Sequence, residues 1–170
     1  MPTARLNPIK AGFAGVVAVY GVMCAASPGT FRFLDYVNLV FHEAGHVFFG
    51  FLGEFIGILG GSLMQVLVPA VVVGHFVWQG YLYSAAIALF WVGQSLFNVS
   101  VYVKDARARA LPLLGDDISA HDWYNILGRL GLLRWDQAIG NLVYGMGLVV
   151  LAVSVIGAFY FSLEEPAGTE

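Results

Sequence analysis

The chain has 170 residues, of which 59% are hydrophobic and 11% charged, and its net charge is −3. This composition is too apolar for a soluble globular domain and predicts an integral membrane protein. The few, scattered basic residues exclude a nucleic-acid-binding surface. Because one spanning helix takes about 20 apolar residues, residues 1–170 have room for a single all-α, polytopic membrane domain of about five transmembrane helices.

Five apolar segments are predicted to span the membrane: 9–27, 34–52, 62–79, 82–103 and 137–162. A glycine-rich piece, 53–62, separates the second from the third, and we expect it to be a tight turn or a re-entrant segment. Its glycines Gly53, Gly57 and Gly61 are four residues apart, a pattern that permits close approach of another helix or of a substrate. The polar segment 104–136 joins the last two spans.

The orientation is predicted from the lysines and arginines near the span ends. With the N-terminus in the cytoplasm, every basic residue except Arg32 lies inside. We therefore expect a protein of the bacterial inner membrane with a cytoplasmic N-terminus, an external C-terminus and a cytoplasmic 104–136 segment.

The apolar stretch 38–51 contains the sequence His-Glu-Ala-Gly-His, which matches the H-E-x-x-H pattern. His42 and His46 are four residues apart, so both imidazoles project from one helix face and can bind one Zn²⁺. Glu43 lies one step round the helix, where it can take a proton from a zinc-bound water. This spacing predicts a catalytic zinc site.

Ionisable side chains inside a span need compensation, because each costs about 2.5–3.5 kcal/mol on insertion scales. Polar contacts between membrane helices contribute only about 0.6 kcal/mol each. Metal ligation is the stronger compensation, and we predict Zn²⁺. Haem or another metal, and plain hydrogen bonding between helices, are the alternatives.

A catalytic zinc site needs a third protein ligand. Asp105 follows the fourth predicted span. His121 and Asp122 lie further along the polar segment, as do Asp116 and Asp117. The residues alone leave these candidates open.

Three other polar residues lie inside predicted spans. Gln65 and Asn98 are expected either to orient the metal ligands or to form hydrogen bonds between helices. His75 is expected to be a buried, hydrogen-bonded histidine and not a ligand.

The order of these features over residues 34–117 resembles the site-2 protease family of intramembrane zinc metalloproteases. In that family an H-E-x-x-H helix precedes a glycine-containing, partly re-entrant stretch, and a later helix supplies an aspartate. The resemblance implies that His42 and His46 bind zinc, that Glu43 is the general base and that Asp105 is the third ligand. The implied activity is hydrolysis of peptide bonds in membrane-embedded or membrane-proximal substrates.

The expected partners are membrane lipid and either a membrane protein substrate or partner subunits. The family's aspartate lies in a Leu-Asp-Gly sequence, whereas Asp105 is followed by Ala106. This departure motivates an alternative function, a catalytically inactive accessory or structural subunit of a larger membrane complex.

Overall fold

The computed structural model describes residues 5–112 and 120–164. Apart from one pair of two-residue strands, the regular structure of this part is helical, which confirms the all-α prediction. The elements are β1 (Arg5–Leu6), α1 (Pro8–Ala26), α2 (Phe33–Gly50), α3 (Glu54–Trp78), α4 (Leu82–Lys104), α5 (Asp122–Arg129), a 3₁₀ turn (Leu133–Trp135), α6 (Asp136–Tyr160) and β2 (Leu163–Glu164).

Four helices of the described part are long and apolar enough to cross a membrane, namely α1, α3, α4 and α6 with its preceding 3₁₀ turn. Large hydrophobic side chains such as Val16, Val71 and Ile156 point outward from them and are exposed in the isolated chain. Such an outward apolar surface fits contact with lipid. Helix α2 is not one of the four, because polar and ionisable residues interrupt its apolar sequence.

Helices α4 and α6 form the central pair of the bundle and run antiparallel. The Phe97 and Tyr144 rings lie 5.3 Å apart between centroids. Nearer the other end of the pair, Ser154 Oγ donates to the carbonyl oxygen of Ala86 at 2.7 Å. Helix α1 packs beside this pair and runs parallel to α4, since Lys10 lies against Tyr83 near the start of both helices.

Helix α2 runs in the same direction as α1, although the two are consecutive. Turns of three residues join α2 to α3 and α3 to α4, so each of these pairs is antiparallel. In the α2–α3 hairpin, Gly50 lies beside Gly57 and His42 beside Gln65. Because α3 is antiparallel to both α2 and α4, α2 runs in the same direction as α4. Helix α1 also runs in that direction. The second predicted span therefore does not return across the bundle.

The two ends of the described chain meet. Strands β1 and β2 pair antiparallel, with Leu6 opposite Leu163, and the Asn7 N–H donates to the Ser162 carbonyl at 2.9 Å. Hydrogen-bonded strands lie about 5 Å apart, whereas the hydrocarbon core of a bilayer is about 30 Å thick, so β1 and β2 lie on the same side of it. The pairing therefore does not fit the expectation that the two chain ends lie on opposite sides, while the expectation that the N-terminus is cytoplasmic stays a prediction.

The glycine-rich piece 53–62 is neither a turn nor a re-entrant loop, apart from its first residue. Gly53 caps α3 with φ 105°, a backbone conformation that favours glycine. From Glu54 onward the chain is one continuous helix to Trp78. The glycines serve packing against α2 and not a break in the helix.

Candidate metal centre

Glycines bring α2 and α3 unusually close at the level of the histidines. A Cβ atom added at Gly60 would lie 2.6 Å from the Gly45 carbonyl oxygen, and one added at Gly57 would lie 3.1 Å from Gly50 Cα. Side chains at these positions would force the backbones apart. The close neighbour predicted from the four-residue glycine spacing is therefore helix α2.

His42 and His46 lie one turn apart on the face of α2 that meets α3, with ring centroids 4.8 Å apart. Their Nε2 atoms converge on one carboxylate oxygen, Asp122 Oδ2, at 2.9 and 3.3 Å respectively. These three residues form a group whose ligand atoms all lie within 4.8 Å of one another. Two imidazoles and a carboxylate are a donor set typical of zinc.

The opposite ring nitrogens are held by carbonyl oxygens. His42 Nδ1–H donates to Gln65 Oε1 at 3.2 Å, and His46 Nδ1–H donates to the Gly57 carbonyl at 2.9 Å. Protonation at Nδ1 leaves the Nε2 lone pair of each neutral ring free for a metal. The two Nε2 atoms and Asp122 Oδ2 can then bind one metal ion together, and without a metal an Nε2–H of a histidine donates to the carboxylate instead.

Gly61 allows both imidazoles to pack against the backbone of α3. A Cβ atom added there would lie 2.7 Å from His42 Nε2 and 2.6 Å from His46 Nε2, closer than such atoms approach. Any side chain at position 61 would therefore push the two rings away from their present positions. The donor set of two imidazoles and one carboxylate fits a zinc ion.

Asp122 is presented by the N-terminus of α5. Its N–H donates to Tyr102 Oη on α4 at 3.0 Å, and the neighbouring Trp123 Nε1–H donates to Ser62 Oγ on α3 at 3.0 Å. Burial alone would raise the pKa of Asp122, but the hydrogen bonds from His42 and His46 outweigh it and lower the pKa. The carboxylate is thus favoured in its ionised, metal-binding form.

His121 fixes the start of α5 and is not part of the cluster. Its Nδ1 accepts from the Tyr124 N–H at 3.2 Å, which caps the helix, and its Nε2–H donates to Asp105 Oδ2 at 3.2 Å. Burial lowers the pKa of His121, and the neighbouring Asp105 only partly offsets this. A neutral His121 matches these one-donor, one-acceptor contacts.

Asp105, the third ligand implied by the family resemblance, lies outside the cluster. It caps the end of α4, and its carboxylate accepts from the N–H groups of Ala110 and Leu111, both at 3.0 Å, as well as from His121. These hydrogen bonds hold the Asp105 carboxylate against the loop that follows α4. The structure brings Asp122, one of the alternatives, to the histidines in its place.

The remaining candidates fall elsewhere. His75 lies exposed in the last turn of α3, not buried as expected, and its ring is near only that of Phe76 among the described ring contacts. Asp116 and Asp117 lie outside the described residues. Gln65 contacts His42 directly, so the interpretation as a ligand-orienting residue describes it better than a purely structural one.

Glu43 lies at the edge of the cluster and is exposed. Its carboxylate interacts electrostatically with both His46 and Tyr102, and it follows the ligand candidate His42 directly in α2. The His46 side chain is itself 29% exposed. The cluster is therefore open on the Glu43 side, where water and a substrate can reach it.

Two functional features of the site were missed by sequence reasoning. Tyr102 has no motif around it, and nothing in the sequence connects it to Asp122. The role of Gly61 beside the imidazoles was also missed, although its place in the four-residue glycine series indicated close approach.

The chain matches no family model, no curated protein and no solved structure. The resemblance to the site-2 protease family therefore depends on the residues of the chain alone.

Proposed function

We propose that this chain is a membrane-embedded zinc peptidase that hydrolyses peptide bonds of membrane-embedded or membrane-proximal substrates. The observation that carries the proposal is the convergence of His42 Nε2, His46 Nε2 and Asp122 Oδ2, whose atoms all lie within 4.8 Å of one another. Three protein ligands with an open side are typical of catalytic zinc sites, whereas structural sites have four.

A bound zinc ion would supply an acidified water and polarise the substrate carbonyl. Glu43, on the open side, takes a proton from the attacking water as the oxygen adds to the carbonyl carbon. It then delivers that proton to the amide nitrogen as the C–N bond breaks. His42, His46 and Asp122 would hold the metal beside α3.

The surface around Glu43 favours an apolar substrate. Val40 and Val47 lie on the same face of α2, three residues before and four residues after Glu43, and are 68% and 83% exposed. A peptide that approaches Glu43 must cross this apolar face. A membrane-spanning or membrane-adjacent segment suits it better than a soluble peptide does.

The metal centre lies at the end of the bundle from which segment 104–136 emerges, and we propose that this end faces the cytoplasm. Five of the eight basic residues lie at this end, namely Lys104, Arg107, Arg109, Arg129 and Arg134. Arg5 and Lys10 lie at the other end, and Arg32 lies at the junction of α1 and α2, where it donates to the Met23 carbonyl. The positive-inside rule then puts both chain ends on the external side of a bacterial inner membrane, with four crossings.

The test is zinc content and peptidase activity of the purified full chain in detergent, with labelled single-span peptides as substrates. Wild type should carry about one zinc per chain, and Glu43→Gln should keep the metal while losing roughly a hundredfold to ten-thousandfold in kcat. The control is Glu54→Gln, which changes an exposed glutamate paired with Arg129 away from the cluster and should leave activity unchanged.

A metal-free wild type, or activity that Glu43→Gln does not change, would contradict this proposal. Zinc binding without any cleavage, together with recovery in a stoichiometric membrane complex, would favour the accessory-subunit function instead.

A further inference from the structure

A buried carboxylate, Asp35, lies two turns before His42 on the same face of α2 and is only 3% exposed. It accepts three hydrogen bonds: from the Arg32 N–H at 2.7 Å, from Gln94 Nε2 at 2.8 Å and from Asn98 Nδ2 at 2.9 Å. An ionised carboxylate can only accept, so each partner must turn a donor toward it. Asp35 therefore fixes the orientation of the amides around it.

The orientation of the Asn98 amide determines that of Gln65, which contacts His42. Since Asn98 gives its NH₂ group to Asp35, its oxygen faces Gln65, whose Nε2 donates to it at 3.2 Å. The Gln65 oxygen is then left for His42 Nδ1–H, also at 3.2 Å. A Gln65 amide turned the other way would offer NH₂ to Nδ1, which favours the Nε2–H tautomer, and that tautomer cannot bind a metal through Nε2.

The two histidines differ in this respect. His46 Nδ1–H donates to the Gly57 backbone carbonyl, which is fixed within α3 and cannot exchange its oxygen for a donor. His42 has a side-chain amide as its acceptor, and such an amide can rotate. Only His42 therefore needs a further residue to define its tautomer.

We propose that Asp35 is a positioning residue of the metal centre, which acts through Asn98 and Gln65 to keep His42 in the tautomer that binds metal through Nε2. The inference rests on the proposed zinc site. It extends the carboxylate–histidine–zinc pairing common in such sites by two intervening amides. The proposal also accounts for the burial of the Asp35 carboxylate beside α4. Each amide between Asp35 and His42 points its donor group toward the carboxylate, and this alignment favours a cation at His42 Nε2, at the opposite end of the hydrogen-bond chain.

The experiment measures Co²⁺ affinity and the Co²⁺ absorption spectrum of the full chain in detergent. Asp35→Asn replaces a group that can only accept by an amide that can also donate, so the orientation of Asn98 is no longer imposed. It should weaken Co²⁺ binding by about tenfold to a hundredfold, the usual effect of losing an outer hydrogen-bond partner. The spectrum of the bound ion should also change, because the His42 ring is no longer held in one orientation.

The route through the amides is tested in a second background. Gln65→Met keeps the side-chain length but removes the link, so Asp35→Asn should have no further effect on affinity in that protein. An equal loss in both backgrounds would mean that Asp35 acts through its charge or through general stability, and would overturn the proposal.

Trp91→Phe is the matched control. Trp91 Nε1–H donates to Asn38 Oδ1 at 2.8 Å in the same polar layer between α2 and α4, but this bond is not part of the route to His42. Its loss should leave Co²⁺ affinity unchanged. If Asp35→Asn does not fold, Asn98→Leu cuts the same route in the middle and should give the same loss and the same dependence on Gln65.

The two levels of the hypothesis fail in different ways. A folded wild type that binds no Co²⁺ would overturn the metal centre itself. A wild type that binds Co²⁺, with Asp35→Asn and Asn98→Leu indistinguishable from it, would overturn only the role of Asp35.

Discussion

The α4–α6 pair and the α2–α3 pair both depend on glycine, but for different purposes. At Gly147 on α6 the missing side chain makes room for the ring of Phe97, which is 1% exposed. At Gly61 on α3 the missing side chain makes room beside two imidazoles. Close backbone approach is a general device of membrane helices. One pair uses it to fill its core, and the other uses it to pack two potential metal ligands against a helix backbone.

The largest effect is expected at Gly61. Gly61→Ala would place a methyl group 2.6–2.7 Å from both Nε2 atoms, so both imidazoles must move away from their present positions. We expect Co²⁺ or Zn²⁺ affinity to fall by more than about a thousandfold, since both histidine ligands are blocked at once. Isothermal titration of the metal-free protein measures this.

Gly74→Ala is the control for that experiment. Gly74 lies on the same helix, and a Cβ atom there would meet nothing within 4 Å. It adds the same methyl group and the same gain in helix propensity, so metal affinity should not change. Equal affinities of the Gly61 and Gly74 variants would place the metal, if any, away from the histidine pair.

The second prediction separates the two aspartates. Asp122→Asn removes the anionic oxygen that both histidines face, and should weaken metal binding by about a hundredfold or more, above the range for outer partners. Asp105→Asn disturbs only the loop and His121 behind α5, and should weaken binding by about tenfold at most. Equilibrium dialysis with Zn²⁺ measures both.

The two variants are compared by how much zinc affinity each one loses. A larger loss from Asp105→Asn than from Asp122→Asn would restore the ligand implied by the family resemblance. Thermal unfolding of the two metal-free proteins is the control, because both variants must remain folded for their affinities to be compared.

The histidine pair was predictable because its spacing is local. His42 and His46 are four residues apart, and any α-helix puts them on one face. The third ligand was not, because it depends on where the chain after α4 folds back. Asp105 and Asp122 read alike in sequence, and only the cap at the end of α4 and the short helix α5 separate their roles.

The fold class followed from composition, but the path of the chain did not. Hydropathy finds apolar segments and says nothing of their direction, so α1 and α2 read as two successive spans. The contacts that give α2 the direction of α1 are tertiary, between Gly50 and Gly57 and between His42 and Gln65. The pairing of Leu6 with Leu163, which brings the two ends together, is equally non-local.

The smallest effect on the metal is expected from the central pair, where glycine serves packing alone. Gly147→Ala would place a Cβ atom 2.7 Å from the ring of Phe97, which is enclosed and cannot move aside without strain. Overpacking of this kind costs about 1–3 kcal/mol of stability. The midpoint of thermal unfolding should fall, while Gly145→Ala on the same helix, with nothing within 4 Å, should not lower it and should raise it slightly through helix propensity. Because α6 contributes no ligand, the folded Gly147 variant should bind metal as wild type does. A parallel loss of affinity would mean that the central pair also shapes the metal centre.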